Sequence, residues 1–144
     1  MDQKPRVGVG IMILKNNKIL LGKRHDDAIK ASSALHGEGT WTMPGGKLHF
    51  KENPEDGVIR ETLEETGIEI EPSNLKLISV GNEVVTDAHF ITLGFLCEKF
   101  TGSPEVKEPD EITEWKWFDI DNLPKKMFLP SLKMVQNYLN GVIY

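Results

Sequence analysis

The segment NPEDGVIRETLEETG, residues 53–67, constrains the fold of this chain more than any other, because its helix signals agree with one another while its charges do not. Asn53 can cap an N-terminus, Pro54 suits the first helical position, Glu55 and Asp56 favour the positive end of the helix dipole, and Gly67 can stop the helix. The pattern predicts a helix over 54–66, with Val58, Ile59, Thr62, Leu63 and Thr66 as its inward stripe and Arg60, Glu61, Glu64 and Glu65 on another face. Glu61 then neighbours both Glu64 and Glu65, and each like-charge pair costs roughly 0.2–0.5 kcal/mol. Something must offset that repulsion.

Three close carboxylates can serve an acid–base pair, a hard divalent cation, or only a solvated helix face. The surroundings favour a site: the acids follow the Gly45-Gly46 pair and a long loop, and Arg60 can pair with Glu64 one turn on or reach back to Glu52. An oxygen-only donor set favours Mg²⁺ or Mn²⁺ over zinc.

Around this helix the chain reads mostly as strands. Residues 6–14 and 18–24 are β-prone runs joined by Lys15-Asn16-Asn17, a link suited to a hairpin turn at positive φ. The polar stretch HDDAIKASSALHGEGT that follows is long for a connection inside a compact domain, which marks it as a loop beside a site. Strand-like runs at 75–85, 90–100 and 112–120 come next, then a helix from about Pro130 to Asn140 stopped by Gly141. Strands mixed with two helices predict an α/β fold with a mixed sheet.

At 144 residues with 39% hydrophobic content the chain has the size of one domain, expected to span 1–144. A net charge of -5 argues against a nucleic-acid or anionic-membrane partner and leaves a small anionic ligand acceptable only through a cation. Cys97 has no internal disulfide partner, which suits a reducing, cytoplasmic setting. No apolar run reaches the length of a membrane span, and the first residues lack the core of a secretory signal. The four histidines, His25, His36, His49 and His89, lack the spacing of a zinc pair.

With these residues in view, the chain resembles the Nudix hydrolases. Their signature places fall on Gly46, Glu52, Arg60, Glu61, Glu64, Glu65, Gly67 and Ile68, with Thr62 the one departure at a hydrophobic place. The GVG and LLGKR strands, the GTWTMPGG approach and EWKWFDIDNLP resemble the MutT-like branch. The resemblance implies an α/β/α sandwich with a mixed β-sheet between helices. It implies an Mg²⁺-dependent enzyme, Mn²⁺ substituting, that cleaves nucleoside diphosphates linked to a group X. Glu64 and Glu65 would bind metal, Glu61 would be a further ligand or the base, and Arg60 with Glu52 would orient them. The Gly45 carbonyl would be an extra ligand, as would a late acid, Glu111 or Glu108. Lys23 and Arg24 are candidates for phosphate contact, and Trp41, Phe128 and Leu129 for contact with the base, Phe128 foremost.

Markers associated with ADP-ribose and dinucleoside polyphosphate hydrolysis are not evident: no proline lies between Pro72 and Pro104 and no tyrosine precedes Tyr138. The resulting expectation is conversion of (deoxy)nucleoside triphosphates, damaged ones included, to monophosphate and pyrophosphate. The alternatives are a nucleotide-sugar or ADP-ribose pyrophosphatase, and a silent nucleotide-binding module. No Asp pair accompanies Phe128, which points away from strict recognition of oxidised guanine. A homodimer is compatible with this reading.

Overall fold

The computed structural model describes residues 3–144. Its central strand, β1 (Arg6–Lys15), runs parallel to β6 (Ala88–Cys97) from Arg6↔Phe90 to Ile13↔Cys97. Outside β6 lies antiparallel β5 (Leu75–Val85), with a register shift between Leu77 and Ser79. At its other side β1 pairs antiparallel with β4 (Gly45–Lys47) through residues 8–10 and with β2 (Lys18–Arg24) through its last two residues. β2 in turn pairs with β3 (Trp41–Thr42) and β7 (Ile112–Asp119). The sheet is mixed, as expected from sequence.

Each face of this sheet is covered by one helix, because the apolar run of β1 alternates between two cores. Val9, Ile11 and Ile13 pack with Val58 of α1 (Pro54–Thr66), and with Ile68 and Phe95. Met12 packs on the other face with Met134 and Val135 of α2 (Leu129–Asn140). A strand buried on both faces loses the polar alternation of an exposed one, which accounts for GIMIL. The result is an α/β/α sandwich.

Local signals place the elements well. The β1–β2 turn holds Asn16 and Asn17 at φ 53 and 63, the left-handed pair that a two-residue hairpin requires. α1 spans Pro54–Thr66 and stops at Gly67, φ 80, whose amide donates to the Leu63 carbonyl. Asn53 occupies the cap position, but its side chain makes no cap hydrogen bond. β6 spans 88–97 rather than 90–100, since Val85 and Ala88 already pair across a tight turn of Thr86 and Asp87. The inward stripe of α1 is also corrected: Leu63 is exposed, whereas Glu65 is buried. Thr62, the departure from the signature, is buried and donates its hydroxyl to the Val58 carbonyl at 2.7 Å, so the polar atom is satisfied within the helix. Cys97 is buried, and burial pushes its thiol up. No helix among the described residues is long and apolar enough to cross a membrane.

Candidate active site

Arg60 organises the acidic end of α1. Its Nε donates to Glu52 Oε2 at 2.8 Å and Nη2 to Glu52 Oε1 at 3.0 Å. Nη1 reaches Glu61 Oε1 at 2.9 Å and Glu64 Oε2 at 3.4 Å, while Nη2 also donates to the Lys47 carbonyl. The repulsion read from the sequence is thus offset in part by one guanidinium whose planar fork serves three carboxylates. Glu52, in return, is held down to about 2 by Arg60 and by the His49 amide.

The three helix acids differ in burial. Glu64 is half exposed, Glu61 is largely covered, and Glu65 is only 7% exposed. Burial, and then the neighbouring Glu61, push the Glu65 carboxyl well above its ordinary range. Glu61 is raised as well, by burial first, although its contact with Arg60 opposes the shift. Glu108 is raised by desolvation and then by Glu111, Glu61 and Glu64, which places both late acids in the same field.

The Gly45-Gly46 pair has a steric reason in this arrangement. A Cβ on Gly46 would lie 2.5 Å from Glu61 Cδ, and a Cβ on Gly45 would strike the backbone of Val9 and Gly10. One glycine lets β4 close on β1; the other lets the Glu61 carboxylate lie on the strand.

These groups head a cleft of about 480 Å³ whose lining includes Gly45, Glu61, Glu65 and Glu111 at one end and Phe90, Phe128 and Met134 elsewhere. That volume suits a small organic ligand. Glu111 lines it and Glu108 does not. Ser32 to Leu35 of the long loop form a wall. Arg24 fixes this loop through hydrogen bonds to the carbonyls of Ala31 and Gly37, and its guanidinium lies 5.1 Å from the Phe128 ring. Burial lowers its pKa, while Glu111 and Glu65 pull the other way. His36 of the loop meets Asp87 of the β5–β6 turn at 3.1 Å.

Three residues expected to meet substrate lie elsewhere. Trp41 packs edge-on against Phe118, ring centroids 4.9 Å apart, in the α2-side core. Lys23 and Leu129 are not among the lining residues; Leu129 faces outward at the start of α2. Trp115 and Trp117, two residues apart on β7, both pack against the α1-side core. The sequence reading passed over Gly8, Gly10 and Thr92, which line the cleft, and Glu83, a buried acid joined to Thr92.

Among the described residues no three His, Cys, Asp or Glu side chains stand as a ready-made metal cage. The donor chemistry nevertheless fits a hard divalent cation: Glu61, Glu65 and Glu111 supply carboxylate oxygens to the same cleft, and Glu65 is a buried acid that a proton or a cation can compensate.

A model of the NUDIX domain matches residues 4–138. The chain belongs to the Nudix hydrolase family. It is 34% identical over 137 residues to an ADP-ribose pyrophosphatase of Methanocaldococcus jannaschii, covering 94% of this chain and 73% of that one. It is 32% identical over 126 residues to the NAD-capped RNA hydrolase NudC of Stutzerimonas stutzeri, covering 88% of this chain but spanning only 43% of that relative's length. Among solved structures, a MutT NUDIX hydrolase from Burkholderia pseudomallei superposes with a TM-score of 0.83 at 32% identity, over 94% of this chain and 98% of the other. Nudix enzymes act on small nucleotide substrates, generally with divalent metal ions, and this chain is a Nudix pyrophosphohydrolase.

Proposed function

We propose that the substrate is a nucleoside diphosphate linked to a group X, cleaved at a phosphoanhydride bond with Mg²⁺ or Mn²⁺. The observation that carries this reading is Glu61, braced by Arg60, beside the buried Glu65 at the head of a nucleotide-sized cleft. When bound, the cation neutralises polyphosphate charge and lowers the pKa of a water.

The chain's own residues divide the remaining work. Glu64 and Glu65 would hold the ion, with the Gly45 carbonyl and Glu111 as further oxygen donors. Glu61 is a further ligand or the base that takes the proton from water, and Arg60 fixes its Oε1 at 2.9 Å. Glu52 turns Arg60 into a rigid element by the two-point contact behind it. Arg24 brings positive charge to the cleft, and the Phe128 ring offers a face to a base.

The first reading of X is pyrophosphate, giving a nucleoside monophosphate from a triphosphate. The second reading is ADP-ribose hydrolysis, favoured by the M. jannaschii relative that shares most of its length with this chain. Product analysis by phosphorus NMR with triphosphates, damaged nucleotides, ADP-ribose and dinucleotides, each with metal or chelator, separates them. Metal-dependent formation of monophosphate plus pyrophosphate, lost in Glu64→Gln, supports the first. Release of AMP and ribose phosphate from ADP-ribose, with triphosphates untouched, replaces it by the second. Metal-dependent binding without turnover refutes both in favour of a silent module.

A further inference from the structure

The cleft has a second polar corner, built on β5 and β6 instead of α1. Glu83 of β5 stands opposite Phe90 of β6 and is 1% exposed. Its Oε2 accepts the Thr92 hydroxyl at 2.8 Å. Its Oε1 is buried with no hydrogen-bond partner. Lys133 holds its Nζ at 4.0 Å from that oxygen and donates to the Asn82 carbonyl at 3.1 Å. Half-satisfied buried carboxylates are costly and call for an explanation. Packing keeps this one in place: a Cβ on Gly81 would collide with Oε1, so a glycine makes room for the acid.

Thr92 connects the buried acid to the cleft. It lines the cavity beside Phe90, Gly8 and Met134. Gly8 leaves the floor open there, since a Cβ on it would come within 3.6 Å of Thr92 Oγ1. A threonine hydroxyl has one proton and two lone pairs. The proton is committed to Glu83, so Thr92 offers only lone pairs to whatever enters the cleft.

We propose that the Glu83–Thr92 pair determines base specificity by making Thr92 Oγ1 an obligate acceptor. It selects a nucleobase edge that presents an amino group over one that presents a carbonyl. Thr92 is the contact and Glu83 the positioning residue. A carbonyl at that place would meet lone pair with lone pair, with the carboxylate behind it. This inference rests on the reading of the cleft as a nucleotide site.

The test uses substrates paired by one group: guanosine with inosine triphosphate, cytidine with uridine triphosphate, and ADP-ribose with its hypoxanthine counterpart. kcat and KM are measured for wild type, Thr92→Ser, Thr92→Val and Glu83→Gln. Binding of the matching monophosphates is measured by calorimetry in chelator. The expected result is a preference for the amino member of at least one pair, expressed in KM and of about tenfold, the effect of one ordinary hydrogen bond. Thr92→Ser keeps it and Thr92→Val loses it. Glu83→Gln relaxes or inverts it, because the amide can donate to Oγ1 and release the hydroxyl proton toward a carbonyl.

Turnover with no amino preference, or a preference unmoved in both Thr92→Val and Glu83→Gln, overturns the inference and leaves the hydrolase reading intact. Failure of wild type to bind or cleave any nucleotide overturns both. If Glu83→Gln does not fold, the contrast between serine and valine at Thr92 decides.

Discussion

Arg60 grips Glu52 across eight residues of chain with two parallel hydrogen bonds, 2.8 and 3.0 Å, and spends its remaining nitrogen on Glu61. A lysine keeps the charge but not the fork. Arg60→Lys should therefore bind metal while misplacing Glu61, with kcat falling on the order of a hundredfold and KM changing little. Steady-state kinetics at saturating metal checks this; an unchanged kcat would refute the positioning role.

The same contact sets an acid limit. Glu52 titrates at about 2 in the folded chain against an ordinary 4.5, so its stabilising contribution is fully present above 4.5 and is lost as pH falls through about 2. Glu52→Gln should unfold more readily than wild type at neutral pH, and the gap should narrow as the pH is lowered through that window. Denaturant titrations at stepped pH give the measurement.

The two glycines of the turn should separate stability from activity. Gly45→Ala drives a Cβ into the backbone of Val9 and Gly10, which cannot yield without opening the β1–β4 pairing, at a cost of about 1–3 kcal/mol or more. For Gly46→Ala the three nearest atoms all belong to the Glu61 carboxylate, the movable end of a side chain. That variant should melt close to wild type yet lose most turnover. Melting temperature and kcat measured together decide it, and equal damage to both by the two substitutions would contradict the assignment.

The sequence made the helices and the hairpin legible because their signals are local. Pro54, Gly67 and the Asn16-Asn17 pair act within a few residues of where they stand, and α1 has the bounds expected of it. Gly141 likewise ends α2 in a left-handed conformation. The separation of Glu64 from Glu65 was not legible. Helical spacing puts them on one side, but which one is buried depends on where the sheet and the loop after Glu105 meet the helix. Trp41 is a candidate for contact with the base on sequence grounds, but its pairing with β2 sets its ring against Phe118. Glu83 looked like any strand carboxylate. Its meaning depends on Thr92, brought beside it by the β5–β6 register, which a shift between Leu77 and Ser79 resets. Tertiary register of that kind leaves no periodic trace in either strand.

Glu65 supplies a pH dependence of opposite sign to Glu52. Its folded value lies well above the ordinary 4.5, through burial first and Glu61 next. Below 4.5 the group is protonated in folded and unfolded chains alike; as pH rises the unfolded chain releases its proton first, so stability falls until the pH passes the raised folded value. Metal-free protein should therefore be less stable at pH 8 than at pH 5 by this contribution, and Glu65→Gln should flatten the difference. Mg²⁺ should restore stability to wild type at pH 8, by about 2.7 kcal/mol at a hundredfold excess over Kd, because a cation replaces the lost proton. Glu64→Gln should keep the metal-free pH profile, since Glu64 is half exposed, while blunting the metal response. Thermal denaturation in chelator and in Mg²⁺ across that range tests both carboxylates. Full metal stabilisation of Glu64→Gln would remove Glu64 from the ligand set, and an unaltered pH slope in Glu65→Gln would show that its buried proton is not the source of the dependence.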